Sequence, residues 1–197
     1  ASEIEKIGTF TLDDTPPKNE APRGLAQAIC FFLLSAAALR LLQPKLAVHG
    51  QNFLIHTSPR QGEHEKVGAL VRQYVGALSN GLASKLPDEM KVRMEWAHAE
   101  LRKTVENAPP LDALFKELER RLYRRKVLIV NATGSNAEFS PELNFIVGGN
   151  ILGRGLTIEN LLVTYYVRQA KTGQMDTILQ HARMYGYRAS LMPFTRA

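Results

Sequence analysis

Two segments near the carboxyl end of this 197-residue sequence combine residue types that bind and activate phosphates. The first, 148–158, has four glycines within eight residues, directly after an apolar run. Glycines permit positive φ and close backbone approach, so the exposed N–H groups can hold a phosphate while Arg154 adds a fixed cation. Taken alone, such a stretch is equally typical of a simple turn.

The second segment, 180–188, ends a helix that we expect to begin near Met175. Gln180 and Arg183 are three residues apart and share one helix face, and Gly186 ends the helix before Arg188. Two guanidiniums and an amide directed at one place suit a triphosphate whose charge grows during phosphoryl transfer. The alternative is a pair of surface arginines at a helix end, where cations are favoured anyway.

Apolar runs and breaks predict the elements that position these segments. A helix buried on most sides is expected at 25–42, because the sixteen residues between Arg23 and Arg40 are too few for a membrane span, which needs roughly 20. Strands are expected at 53–57, 127–130, 145–147 and 161–166, with a helix at 63–78 and two charged helices at 85–125 broken at Pro109–Pro110.

The alternation of helix and strand predicts a parallel sheet. Ligands of such sheets gather at the carboxyl ends of the strands, where the loops begin at Thr57, Asn131, Gly148 and Val167. The segments 148–158 and 180–188 both follow strands of this sheet, and they are therefore expected on the side where a ligand binds.

Composition limits the function classes. The net charge of +6 favours a polyanionic partner, and Cys30 as the single cysteine excludes a disulfide framework or a cysteine zinc site. Neither a signal peptide nor a membrane span is expected, so the predicted location is cytoplasmic. Residues 1–22 are predicted to be a polar linker or arm, and 23–197 one domain with a helical insertion at about 81–125.

The motifs resemble those of a known family. Arg154 to Ile158 looks like the fifth motif of superfamily 2 helicases, and Gln180 to Arg188 looks like their sixth, the arginine-finger motif. More closely, 145–188, preceded by 53–58, resembles the Z1 domain, a family labelled as an endonuclease and found in bacterial proteins with a helicase-like ATPase core. The likeness begins at about Asp13, reaches the end of the chain and is weakest at 81–125.

The resemblance implies a fold and a function. The fold would be α/β and RecA-like (P-loop NTPase-type), a parallel sheet flanked by helices that forms the second domain of a helicase core. An N-terminal RecA-like domain of the same protein would carry the phosphate loop and bind most of the ATP and Mg²⁺. The two domains would then move on nucleic acid, with DNA favoured over RNA.

The resemblance also assigns roles to residues. The catalytic residues would be Arg183, Arg188 and Gln180; the cofactor-binding and coupling residues Gly153, Arg154, Gly155 and Thr157; the nucleic-acid contacts Thr57, Ser58, Gly149 and Asn150; and no residue would ligate a metal. Two features depart from the commoner helicase pattern. Thr157 stands where many of these helicases have aspartate, and the two arginines are five apart rather than three, so either could be the finger.

Two motifs of a complete ATPase are missing from the sequence. It contains no G-x-x-x-x-G-K-[ST] and no D-E-x-[DH] after a strand, the motifs that cradle phosphates and hold magnesium. We therefore expect the chain alone not to hydrolyse ATP and to be one half of a longer motor, with its polar beginning lying in an interdomain linker.

Two other function classes stay open. An endonuclease of the restriction or phage-defence type needs a carboxylate pair and a lysine on a metal. Pro87-Asp88 is followed at once by Glu89-Met90-Lys91, and this arrangement favours a helix start over a nuclease site. His56, at a strand end, is expected to be a packed or interdomain residue rather than a metal ligand. A non-catalytic partner-binding module on the same fold is the third reading. An upstream phosphate loop in the full-length gene would favour the motor.

Overall fold

A computed structural model describes residues 21–57, 61–130, 139–149, 158–166 and 189–196. Its helices are α1 (Arg23–Leu42), α2 (Gln61–Ala83), α3 (Asp88–Arg102) and α4 (Leu111–Arg121). Its strands are β1 (Gln51–His56), β2 (Lys126–Val130), β3 (Leu143–Gly148) and β4 (Leu161–Tyr166). Short 3-10 helices span Leu122–Arg124 and Ala189–Phe194.

The four strands form one parallel sheet in the order β2-β3-β1-β4. The two central strands, β1 and β3, are buried along their whole length, as their continuous apolar runs predict. Helices α2, α3 and α4 lie between β1 and β2 in the chain, and α1 and α2 pack on the sheet. The prediction of an α/β fold with a parallel sheet is therefore confirmed.

Helix α1 forms the centre of the core, as expected for its apolar sequence. It is buried on nearly every turn from Leu25 to Leu39, and the ring of Phe32 lies 5.4 Å from Phe53 and 5.2 Å from Phe145, measured between centroids. By length and composition the helix could also cross a membrane, but most of its apolar stretch is buried inside the domain.

The charged region at 85–125 forms two helices, as predicted, and proline fixes where each begins. Pro87 precedes α3 and its carbonyl accepts the N–H of Lys91 at 2.9 Å, while Pro110 precedes α4. Met90, Met94 and Ala97 face inward on α3. Among the described elements, α3 packs mainly against α1 rather than against the strands, so the two helices add a layer outside α1.

The other face of the sheet carries a smaller apolar cluster of Leu54, Ile146, Ile158 and Leu161. Ile158, three residues before β4, packs into this cluster. Beyond β4, the backbone of Arg196 pairs with the strand: its N–H donates to Leu162 at 2.9 Å and its carbonyl accepts from Thr164 at 3.0 Å.

Candidate functional site at the carboxyl edge of the sheet

One residue from each strand forms a row across the carboxyl edge of the sheet. Gly148 of β3 is in register with Val130 on one side and with His56 on the other, and His56 is in register with Tyr166. Because all four strands are parallel, the loop after each of them leaves from this same row. The strand ends that precede the predicted loop starts therefore lie side by side.

Thr57 fastens the end of β1 to the end of β3. Its backbone N–H donates to the Gly148 carbonyl at 2.8 Å, and its hydroxyl donates to the same oxygen at 3.4 Å. Thr57 and Gly149 are both buried. Thr57 thus fixes the geometry at the end of β1, and its predicted nucleic-acid contact remains a prediction.

The side chains of His56 and Tyr166 pack against each other at the β1 and β4 positions of this row. The imidazole of His56 lies 5.5 Å from the ring of Tyr166, tilted by 39°. His56 is only 6% exposed, in agreement with its interpretation as a packed residue. Burial raises the pKa of the Tyr166 phenol to about 12, so at neutral pH this hydroxyl keeps its proton and can donate a hydrogen bond.

The connection from β3 to β4 is anchored at the opposite, amino edge of the sheet. The N–H of Asn52 donates to the Asn160 carbonyl at 3.0 Å, and its side-chain amide donates to the Glu159 carbonyl. Asn160 has a φ of 48°, a left-handed conformation that asparagine tolerates and that turns the chain into β4. The two residues that follow the glycine-rich segment are therefore held in a defined position.

The remaining predicted site residues fall outside the described ranges: Ser58, Asn150, Gly153, Arg154, Gly155, Thr157, Gln180, Arg183 and Arg188. Their roles stay predictions. The described strands nevertheless fix where the segments that contain them begin. The glycine-rich segment leaves from Gly148 and the segment leading to Arg183 leaves from Tyr166, one strand on either side of β1.

The position considered for a nuclease motif is a helix start. Asp88 and Glu89 lie in the first turn of α3, where carboxylates interact favourably with the helix dipole. Pro87 is the residue immediately before the helix, at its N-cap position. Within the part of the chain that the structure describes, no group of three His, Cys, Asp or Glu side chains is arranged to hold a metal ion.

Two features of the structure were not predicted from the sequence. Tyr166 was assigned only to a strand, although its register with His56 makes it part of the row. Arg72 and Arg125, which lie far apart in sequence, line one open cleft beside β2. The spacing of Gly68, Arg72 and Gly76 on one helix face was an available signal for that cleft.

Comparison with known proteins identifies the family. The family model described as Z1 domain matches residues 24–196, which includes every described helix and strand except the first residue of α1. No curated protein and no solved structure gives a significant match. Since the match covers most of the sequence, the chain belongs to the Z1 domain family.

Proposed function

We propose that this chain is the RecA-like second domain of a nucleic-acid-dependent ATPase of the helicase kind. It supplies arginine fingers and a coupling loop to an ATP site that a phosphate-loop domain completes. The observation that carries the proposal is the row at the carboxyl edge, from which both motif-bearing segments depart.

The spacing of that row supports a shared ligand site. Neighbouring strands lie about 4.8 Å apart, so the ends of β3 and β4, on either side of β1, are separated by roughly 10 Å. Segments that begin this close together can contribute to one site. Carboxyl edges of parallel sheets are also where nucleotides bind in folds of this class.

In this proposal the chain's own groups act on charge. Arg183 or Arg188 stabilises the negative charge that develops on the transferring phosphoryl group, and Gln180 assists. Gly153, Arg154, Gly155 and Thr157 connect the ATP site with nucleic acid, which Thr57, Ser58, Gly149 and Asn150 contact. ATP with Mg²⁺ is held mainly by the partner domain, and the protein works in the cytoplasm, with DNA favoured over RNA.

A division of labour between two domains predicts that the isolated chain does not hydrolyse ATP. We expect no turnover above background in a coupled ATPase assay with Mg²⁺, with or without single-stranded DNA or RNA. A polypeptide that joins this chain to its phosphate-loop domain should show turnover that nucleic acid stimulates. Turnover by the isolated chain that disappears with Arg183→Ala would contradict the division proposed.

A further inference from the structure

A second surface, away from the carboxyl edge, combines two guanidiniums with an exposed aromatic ring. Arg72, Tyr123, Arg125 and Val127 line a cleft of about 370 Å³ that opens to solvent between α2 and β2. Val127 is three residues before Val130 in β2, so the cleft lies about 10 Å from the carboxyl-edge row along the strand. The two surfaces are therefore distinct.

Two glycines of α2 lie beside this cleft. Gly68 and Gly76 lie one turn before and one turn after Arg72, on the same helix face. A Cβ atom on Gly68 would be 3.0 Å from Cδ1 of Ile129, and one on Gly76 would be 3.7 Å from Nη2 of Arg125. Gly68 thus lets α2 approach β2 closely, and the Arg125 side chain lies beside Gly76 at ordinary contact distance.

The two arginines are the charged groups among the described residues that line the cleft. None of the four lining residues is acidic, and within the described ranges Arg72 forms no ion pair or hydrogen bond. Nη1 of Arg125 donates to the Leu122 carbonyl at 2.8 Å, which fixes its orientation. Burial lowers the pKa of this guanidinium but leaves it charged at neutral pH. A partly desolvated cation of this kind attracts an anion more strongly than a fully hydrated one.

Tyr123 adds an aromatic face to the cleft. Tyr123 is 64% exposed, and the Arg124 guanidinium lies 5.2 Å from the ring centroid. Exposed aromatic rings among arginines form the stacking platforms on which single-stranded nucleic acids bind, since every base has a π face. A shallow, open cleft also suits a polymer that gathers affinity from many contacts better than a small anion.

We infer that the cleft of Arg72, Tyr123, Arg125 and Val127 binds single-stranded nucleic acid, with the arginines on the phosphates and Tyr123 stacked on a base. The inference deepens the proposed function, on which its choice of nucleic acid as the partner rests. Long-range attraction from the net charge of +6 would assist the encounter.

The test is fluorescence anisotropy of the 197-residue chain with labelled 20-nucleotide oligo(dT) and oligo(rU), titrated at several salt concentrations. Each phosphate contact contributes roughly 0.7 to the slope of log affinity against log salt for a single strand. Arg72→Gln/Arg125→Gln should therefore lower affinity at least roughly 10-fold at low salt and make the slope shallower by about 1.4. The exposed single variant Arg72→Gln should give about half that change in slope.

A matched control removes the same charge elsewhere. Lys91 and Lys103 belong to α3 and its end, have side chains that are 61% and 66% exposed, and pair with Glu95 and Glu100. Lys91→Gln/Lys103→Gln should bind within about twofold of the unmodified chain. Tyr123→Ala should weaken binding roughly 5-fold or more without changing the salt slope, whereas Tyr123→Phe should bind normally.

Equal binding by the cleft double variant and the lysine double variant would overturn the inference, as would absence of binding by the unmodified chain at 50 mM salt. The measurement involves no ATP, so its failure is separable from failure of the proposed function. If the cleft variants bind normally while turnover of the two-domain polypeptide depends on Arg183, the proposed binding site in the cleft is wrong and the proposed ATPase function is supported. If the cleft variants lose binding while Arg183 is dispensable, the reverse holds.

Discussion

At the scale of single residues, Arg121 joins four parts of the fold. Its Nε donates to Oε2 of Glu142 at 2.6 Å, its Nη1 to the Ala36 carbonyl at 3.2 Å, and its Nη2 to the Gln51 side chain. The Arg121 side chain is only 5% exposed. It therefore ties α4 to α1 and to the amino ends of β1 and β3, on which the register at the carboxyl edge depends.

Removal of this guanidinium should be costly. Arg121→Ala leaves the Glu142 carboxylate and the Gln51 amide without their buried partner, and loss of one member of a buried pair costs about 3 kcal/mol or more. Urea unfolding followed by circular dichroism measures the change. Arg120→Ala is the matched control, because its side chain is 75% exposed and pairs with Glu117 at 3.8 Å, and it should cost less than about 1 kcal/mol. Equal effects of the two substitutions would contradict the role of Arg121.

Cys30 provides a probe of core integrity. Burial raises the pKa of its thiol from 9.0 to about 11, and its Sγ lies 3.6 Å from the Tyr74 hydroxyl. Since the thiolate is the reactive form, the folded chain should not react with a thiol reagent at pH 8, and the chain in denaturant should show one reactive thiol. Rapid labelling of the folded chain would contradict the described core.

The raised pKa of the Cys30 thiol also makes the free energy of unfolding depend on pH in alkaline solution. The pKa of this thiol is higher in the folded chain than in the unfolded chain. Its contribution to the free energy of unfolding is therefore fully present below about pH 9, where both states keep the proton. Between about pH 9 and 11 the unfolded chain loses the proton and the folded chain retains it, so the free energy of unfolding should fall. In Cys30→Ala this component of the decline should be absent.

At the scale of elements, the backbone at Gly50, before β1, packs closely against the segment that leads into β3. A Cβ on Gly50 would overlap the backbone oxygen of Ser140 and lie 2.9 Å from Nδ2 of Asn144. Because the obstacle is backbone, Gly50→Ala should destabilise the fold by roughly 2 kcal/mol or more. Gly62→Ala is the control, since its Cβ meets nothing within 4 Å and alanine favours the helix, so stability should be equal or slightly higher. Thermal melting of both variants checks the contrast, and a neutral Gly50→Ala would refute the described contact between the strands.

Most elements could be predicted because local patterns specify them. The apolar run of β1, the periodic stripe of α2 and the prolines before α3 and α4 each determine structure within a few residues. The order β2-β3-β1-β4 could not be predicted in the same way, because it depends on which crossover packs on which face. The cleft was missed for a related reason: Arg72 and Arg125 meet only after α2 docks on β2.

At the scale of the whole molecule, the hydrogen bonds that hold the strands together and the proposed functional site lie at opposite edges of one sheet. Hydrogen bonds of Arg121, Asn52 and Asn144 hold the amino edge together. The carboxyl edge presents His56, Gly148 and Tyr166 and is the origin of the motif-bearing segments. Substitutions at the amino edge should therefore change stability, whereas those at Arg183 or Arg188 should change turnover, which is the separation that the proposed function requires.

The central claim is that Arg183 stabilises transition-state charge at a shared ATP site. The most direct test is ATP turnover and melting temperature of Arg183→Ala and Arg183→Lys in a polypeptide that contains this chain and a phosphate-loop domain. Arg102→Ala is the matched control, an exposed arginine in the last turn of α3.

We expect both Arg183 variants to lose roughly 10³-fold in turnover, with far smaller changes in ATP affinity and in melting temperature. Lysine should not rescue turnover because an ammonium lacks the planar fork of donors. Arg102→Ala should keep normal turnover. Normal turnover in both Arg183 variants would transfer the role to Arg188, and normal turnover in the corresponding Arg188 variants as well would contradict the assignment of 180–188 as an arginine-finger segment.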